Sequence, residues 1–208
     1  VKVPVDRDNL RRGHIRLKTM NSTSSGKPDG PVRLALAGGP GQAATAIAAT
    51  LAKLMAPALD KYQLVLFDQR GTGLSGALNC SSLTNISNST TGSQVFNALD
   101  RCSSKLGSKQ NFYTTADSVL DIESVRRAIG ASKLFIYGVS YGTFVATQYA
   151  QKFPTKVSAL GLDSTMTKKG WDPYSLNSIE ASRRILTDLC GNSQCQDITT
   201  DPVGDTRS

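Results

Sequence analysis

The sequence has 208 residues, enough for one domain with a sizeable core. Its 24 Lys and Arg outnumber 16 Asp and Glu, for a net charge of +8. The densest basic group, Arg7, Arg11, Arg12, Arg16 and Lys18, has no interleaved aromatic platform, so it reads as a solvated face and sets nucleic-acid binding aside. No apolar run is long enough to span a bilayer, and one His with four Cys lacking any C-x-x-C pair argues against a zinc site. No cofactor or metal is expected.

Val1–Val5 and His14–Met20 alternate apolar and polar residues and predict an antiparallel hairpin at a sheet edge. Residues Asn21–Pro31 form a polar Ser/Gly/Pro loop. Val32–Ala37 is a buried strand that runs into Gly38-Gly39-Pro40-Gly41, and Gln42–Leu59 has helical spacing. Such a turn before a helix suits a phosphate, but neither G-x-G-x-x-G spacing nor a following Lys-Ser/Thr is present. Tyr62–Phe67 is a second buried strand, followed by Asp68-Gln69-Arg70-Gly71-Thr72-Gly73-Leu74-Ser75. Asp68 and Arg70 are read as a charged pair that pins a sharp loop beside the site, in preference to catalytic groups.

Gly76–Phe112 is a polar excursion that needs a staple or short helices of its own. Thr114–Ile129 is the clearest helix. Thr114 and Asp117 fit a capping box, Val119, Ile122, Val125 and Ile129 share one face, and Gly130 ends it. Leu134–Ala150 then reads as strand, tight turn and helix around Gly138-Val139-Ser140-Tyr141-Gly142. That is the G-x-S-x-G nucleophile elbow in its required context, with Gly138 and Gly142 where a Cβ would collide. The alternative is an ordinary Ser on a glycine-rich turn. Val157–Leu162 is the next strand, ending at Asp163-Ser164; Trp171–Leu176 is irregular, Ser178–Leu189 is helical, and the tail to Ser208 is frayed.

Alternation after the first hairpin predicts an α/β fold with a mostly parallel, doubly wound sheet. The Gly38 turn, the Asp68 loop, Ser140 and Asp163 all fall at the carboxyl ends of strands, where such sheets carry their sites. The four Cys allow three pairings; Cys80–Cys102 with Cys190–Cys195 is the simplest, and two disulfides suggest an oxidising compartment. Sequons at Asn21, Asn79, Asn85 and Asn88 add a mild hint, since about two arise by chance.

The GGPG turn, the DQRGTGLS loop and the GVSYG elbow, with the helix TTADSVLDIESVRRAIG before the elbow, together resemble the α/β-hydrolase fold. More narrowly they resemble the proline iminopeptidase and secreted tripeptidyl aminopeptidase group, over Val1–Lys169. The resemblance implies an extracellular serine hydrolase, its signal peptide removed, that releases residues or short peptides from free N-termini. It implies Ser140 as nucleophile, an oxyanion hole of the Tyr141 and Gly39 N–H groups, and Gly38, Gly41, Asp68 and Arg70 as loop support. Pro40 has no N–H, so the turn's donor is Gly39 or Gly41, with Gly39 favoured.

Two features depart from that group. Ala37 stands where a His usually precedes GGPG, and no His follows Ser140. In this fold the chain order is Ser, acid, His, so His14 on the edge hairpin is out of order, and Asp163 is a minority position for the acid. The expectation is therefore an incomplete α/β-hydrolase. Residues 1–165 are the N-terminal part of the catalytic domain and 166–208 the start of a cap, with the last strands and most of the cap lacking. Partners are then a peptide or ester substrate and the C-terminal remainder that supplies acid and base. A carboxylesterase of the same fold and a non-catalytic hydrolase-fold binding module are the alternatives.

Overall fold

The structure, a computed structural model, describes residues 1–22, 31–59, 62–83, 86–87, 91–166, 176–191, 195 and 197–205. The chain divides into two compact units, Val1–Lys168 and Lys169–Ser208.

The first unit holds a five-stranded sheet in the order β3-β5-β4-β6-β7. Its strands are β3 (Thr19–Ser22), β4 (Val32–Leu36), β5 (Gln63–Phe67), β6 (Leu134–Val139) and β7 (Val157–Asp163). Only β3 runs antiparallel, against β5. The sheet is covered on both faces at its centre, which explains why every residue of β4 is buried, Arg33 included. On one face Ala35, Ala37, Leu64 and Leu66 pack against Leu51 and Met55 of helix α1 (Ala48–Leu59). On the other, Leu34, Leu36, Val65, Phe67 and Ile136 meet Val119, Ile122 and Val125 of α3 (Thr115–Ala128) and Val145 and Tyr149 of α4 (Tyr141–Lys152). Period-2 strands and period-3.6 helices thus deliver their apolar stripes to two cores.

The N-terminal hairpin forms, but differently from expectation. β1 (Lys2–Pro4) and β2 (His14–Arg16) make a separate two-stranded sheet, and the predicted strand His14–Met20 breaks at Leu17-Lys18. The cause is hydrogen bonding. Leu17 N–H donates to the Val1 carbonyl (2.7 Å), Lys18 N–H donates to Ser75 Oγ (2.8 Å), and Lys18 O accepts from Asp68 N–H (3.1 Å). The basic group is also not one free face: Arg7 pairs with buried Asp121 at 2.8 Å, and Arg12 pairs with Asp6 at 3.2 Å and lies over the Phe112 ring.

The excursion carries both devices it needs. Cys80 and Cys102 are joined, with Cα atoms 5.4 Å apart, and α2 (Gly92–Leu106) begins with a capping box on Thr91. Asn85 and Asn88 lie outside the described residues. α3 has the predicted box, Thr114 Oγ1 accepting from Asp117 N–H while Asp117 Oδ2 accepts from Thr114 N–H, and it ends where Gly130 turns to φ 70°.

The second unit holds α5 (Leu176–Cys190) and a Cys190–Cys195 disulfide, Cα–Cα 5.1 Å. Of Trp171–Leu176 only Leu176 lies within the described residues. The tail through Asp205 is turned, not frayed: Ile198 and Thr199 N–H groups donate to the Cys195 carbonyl and Asp205 N–H to the Asp201 carbonyl. Among the described residues no helix is long and apolar enough to cross a membrane, and no cluster of three His, Cys, Asp or Glu stands together.

Candidate active site

β6 and α4 are separated by one residue, Ser140, at φ 52° and ψ −120°. A non-glycine side chain in that region is strained and has to be held there by its surroundings. Three hydrogen bonds hold it. Ser140 N–H donates to the Asp163 carbonyl across the β6–β7 ladder (2.9 Å), and Ser140 O accepts from both Thr143 N–H (2.9 Å) and Thr143 Oγ1 (2.6 Å). Thr143 Oγ1 in turn accepts from Met166 N–H at 2.9 Å.

The flanking glycines are sterically required. A Cβ on Gly138 would stand 2.5 Å from the Gly142 carbonyl oxygen, and one on Gly142 would stand 2.6 Å from Leu36 O. α4 therefore approaches the sheet at backbone contact, and its first residues, Tyr141 and Gly142, follow directly on Ser140. This end of α4 carries the positive end of the helix dipole, and of its first-turn N–H groups Thr143 N–H is bonded to the Ser140 carbonyl. The GGPG turn comes equally close from β4: a Cβ on Gly38 would lie 3.1 Å from Ser140 Cβ and 3.6 Å from its Oγ. Gly38 N–H is taken by Gln42 Oε1 at 3.3 Å, while Gly39 (φ 102°) and Gly41 (φ 104°) have backbone that only glycine adopts easily.

Asp68 and Arg70 are both buried beside this turn, but they do not pair with each other as expected. Asp68 takes Thr45 N–H (2.8 Å), Thr45 Oγ1 (2.8 Å) and Leu74 N–H (3.0 Å), and so ties the segment after GGPG to its own loop. That is why α1 begins at Ala48, with a tighter turn over Thr45–Ile47, and not at Gln42. Arg70 makes a bidentate pair with Asp121 of α3 (2.7 and 2.7 Å) and donates to the Val5, Phe112 and Pro4 carbonyls. Burial pushes the Asp121 carboxyl above its ordinary range against the pull of Arg70 and Arg7. Sequence reasoning missed Asp121, although an acid three positions from Ser118 and one before Ile122, inside the apolar stripe of α3, marks a buried partner.

Asp163 ends β7 opposite Val139. Its carboxylate accepts from Tyr137 Oη (2.8 Å) and from Ser164 Oγ (2.9 Å), and those two bonds hold it below the ordinary carboxylate range. Burial first, and then Asp163, push the Tyr137 phenol up to about 12. Tyr137 was likewise not foreseen; its position two residues before Val139 on the same strand face is the only signal. His14 is exposed on the two-stranded sheet, opposite Pro4, in a sheet that does not contain the elbow strand. Ser140, Gly38, Gly39, Gly41, Tyr141, Asp68 and Arg70 thus surround one end of the sheet, and His14 stands outside that group.

A family model for the alpha/beta hydrolase fold matches residues 36–189, the span from the end of β4 through α5. The chain belongs to that family. It is similar to the proline iminopeptidase of Xylella fastidiosa, 30% identical over 147 residues that make up 71% of this chain and 36% of that protein. It is also similar to the serine protease Hip1 of Mycobacterium tuberculosis, 30% identical over 209 residues, 88% of this chain and 37% of that protein. The chain therefore spans little more than a third of the length of these relatives. Among solved structures, that of Rv0554 from Mycobacterium tuberculosis superposes with a TM-score of 0.53 at 19% identity over 99% of this chain and 56% of that one, a likeness of fold.

Proposed function

We propose that this chain is the nucleophile-bearing part of a secreted serine peptidase that releases residues or short peptides from free N-termini. The observation that carries the reading is Ser140 itself. It is held at φ 52° between β6 and α4, with Gly38 against its side chain. A strained serine at a helix N-terminus that faces a glycine turn supports that role.

Ser140 Oγ attacks the scissile carbonyl, its proton passes to a base, and the Tyr141 and Gly39 N–H groups receive the oxyanion. The C–N bond then breaks, the amine leaves with the proton, and water later releases the acyl group from Ser140. The 208 residues contain no His after Ser140. The base and the acid that orients it are assigned to sequence beyond these residues. The relatives' greater length supports this, as does β7, which among the described residues pairs only with β6 and exposes Leu162. Without a base, the oxyanion site alone gives residual catalysis. The two disulfides support an extracellular setting. The peptidase relatives favour a peptide over an ester.

The test is intact mass spectrometry of the native protein with and without a fluorophosphonate probe. One adduct that maps to Ser140, on a species larger than this chain or complexed with a second one, is the expected result. A native protein of only about this chain's 22.1 kDa that gains no adduct overturns the reading.

A further inference from the structure

A cavity of about 300 Å³, at the low end for ligand sites, lies against the elbow. It shares two walls with the proposed oxyanion hole: Tyr141 on one side and Pro40-Gly41, next to Gly39, on the other. Its remaining lining includes Gln69 and Ser118, 6% and 5% exposed. Both bring buried polar side chains, and among the described residues no hydrogen bond engages the Gln69 amide or the Ser118 hydroxyl. Neither group is sealed: among the described residues the buried side-chain polar atoms without a partner are Arg7 Nε and Arg33 Nε, so the Gln69 amide and Ser118 hydroxyl open onto the cavity, where a ligand can bond them.

The walls are fixed. Tyr141 Oη is bonded to Thr115 Oγ1 at 2.8 Å, and Gly71 has no room for a Cβ because the Tyr113 ring lies 2.7 Å from where it would be. The walls are also electrically quiet. Arg70 lines the cavity, but its nitrogens are spent on Asp121 and on three backbone carbonyls. No unpaired charge remains to attract a carboxylate or an ammonium. What remains among the lining side chains is the Gln69 amide, with the Ser118 and Tyr113 hydroxyls.

We infer that this cavity is a subsite for a neutral carboxamide, a peptide group of the substrate lying beside the scissile bond, with the Gln69 amide as its hydrogen-bond partner. This deepens the peptidase reading and rests on it for the word substrate. The chemistry separates amides from esters. A trans peptide group turns its N–H and C=O to opposite sides, so Gln69 takes one of them at a time, and an ester has no N–H to offer the Gln69 oxygen.

The test is a titration of the isotopically labelled protein with three probes: N-acetylalaninamide, its methyl ester and its free acid, followed at the Gln69 side-chain NH₂ and the Ser118 amide by NMR. The expected result is a saturable shift at both with the amide, about tenfold weaker binding of ester and acid, and loss of the shift in Gln69→Leu. The unmodified protein suffices if Gln69→Leu does not fold. No saturable shift at Gln69, or equal binding of ester and amide, overturns the inference. Failure of the peptidase reading looks different: no fluorophosphonate adduct at Ser140, with the amide still shifting Gln69.

Discussion

Glu123 shows how one buried side chain ties stability to pH. It accepts from Arg126 (2.8 and 2.8 Å), Arg127 (2.7 Å) and the Tyr149 hydroxyl (2.9 Å), and it is 6% exposed. The Arg126 hydrogen bonds foremost lower its carboxyl from an ordinary 4.5 to about 2. The folded value lies below the unfolded one, so this stabilisation is fully present above about pH 4.5 and is lost as pH falls toward 2. Chemical denaturation between pH 5 and pH 2 is expected to show a fall on the order of 3 kcal/mol from this residue, and Glu123→Gln is expected to flatten that part of the profile. Asp121 has the opposite direction and a different risk. Asp121→Ala leaves Arg70 buried without its bidentate partner, and the expected loss in an unfolding titration is about 3–5 kcal/mol. Asp68→Ala strands Thr45 N–H and Leu74 N–H and is expected to cost about 2–3 kcal/mol.

At the level of elements, the elbow is a steric contract between β6, α4 and β4. Gly142→Ala is expected to cost more than about 3 kcal/mol, because the clashing atoms are the Leu36 and Ala37 carbonyls, which cannot move without breaking β4. Thr114→Ala removes only a cap and is expected to cost about 1 kcal/mol, so thermal melts of the two variants should differ clearly. The elements themselves were legible because each carries a local signal: the run VRLAL, the box from Thr114 to Asp117, the glycines around Ser140. The break between β2 and β3 was not. His14–Met20 alternates without interruption, and the competing bonds come from Val1 and Ser75, far away in sequence. The site divides in the same way. Ser140 and its turn announce themselves by spacing, whereas Arg70–Asp121 and Tyr137–Asp163 join residues 51 and 26 positions apart and leave no periodic trace.

Over the whole molecule, the Cys80–Cys102 bridge closes the excursion between β5 and α3, across 22 positions. Loop-closure entropy for that length gives about 3 kcal/mol. Reduction, or a Cys80→Ser/Cys102→Ser pair, is expected to lower the melting midpoint while the five-stranded sheet still forms, with far-UV circular dichroism keeping its strand signal. The bond from Ser140 N–H to the Asp163 carbonyl reaches further. The amide of the strained residue is guarded by a neighbouring strand and not by its own helix. Its exchange with deuterated solvent must therefore wait for β7 to part from β6, so the Ser140 amide should lose its protium at the rate of the β7 ladder and far more slowly than the first turn of α4. The readiness of this serine and the lifetime of the β6–β7 pairing are then a single clock.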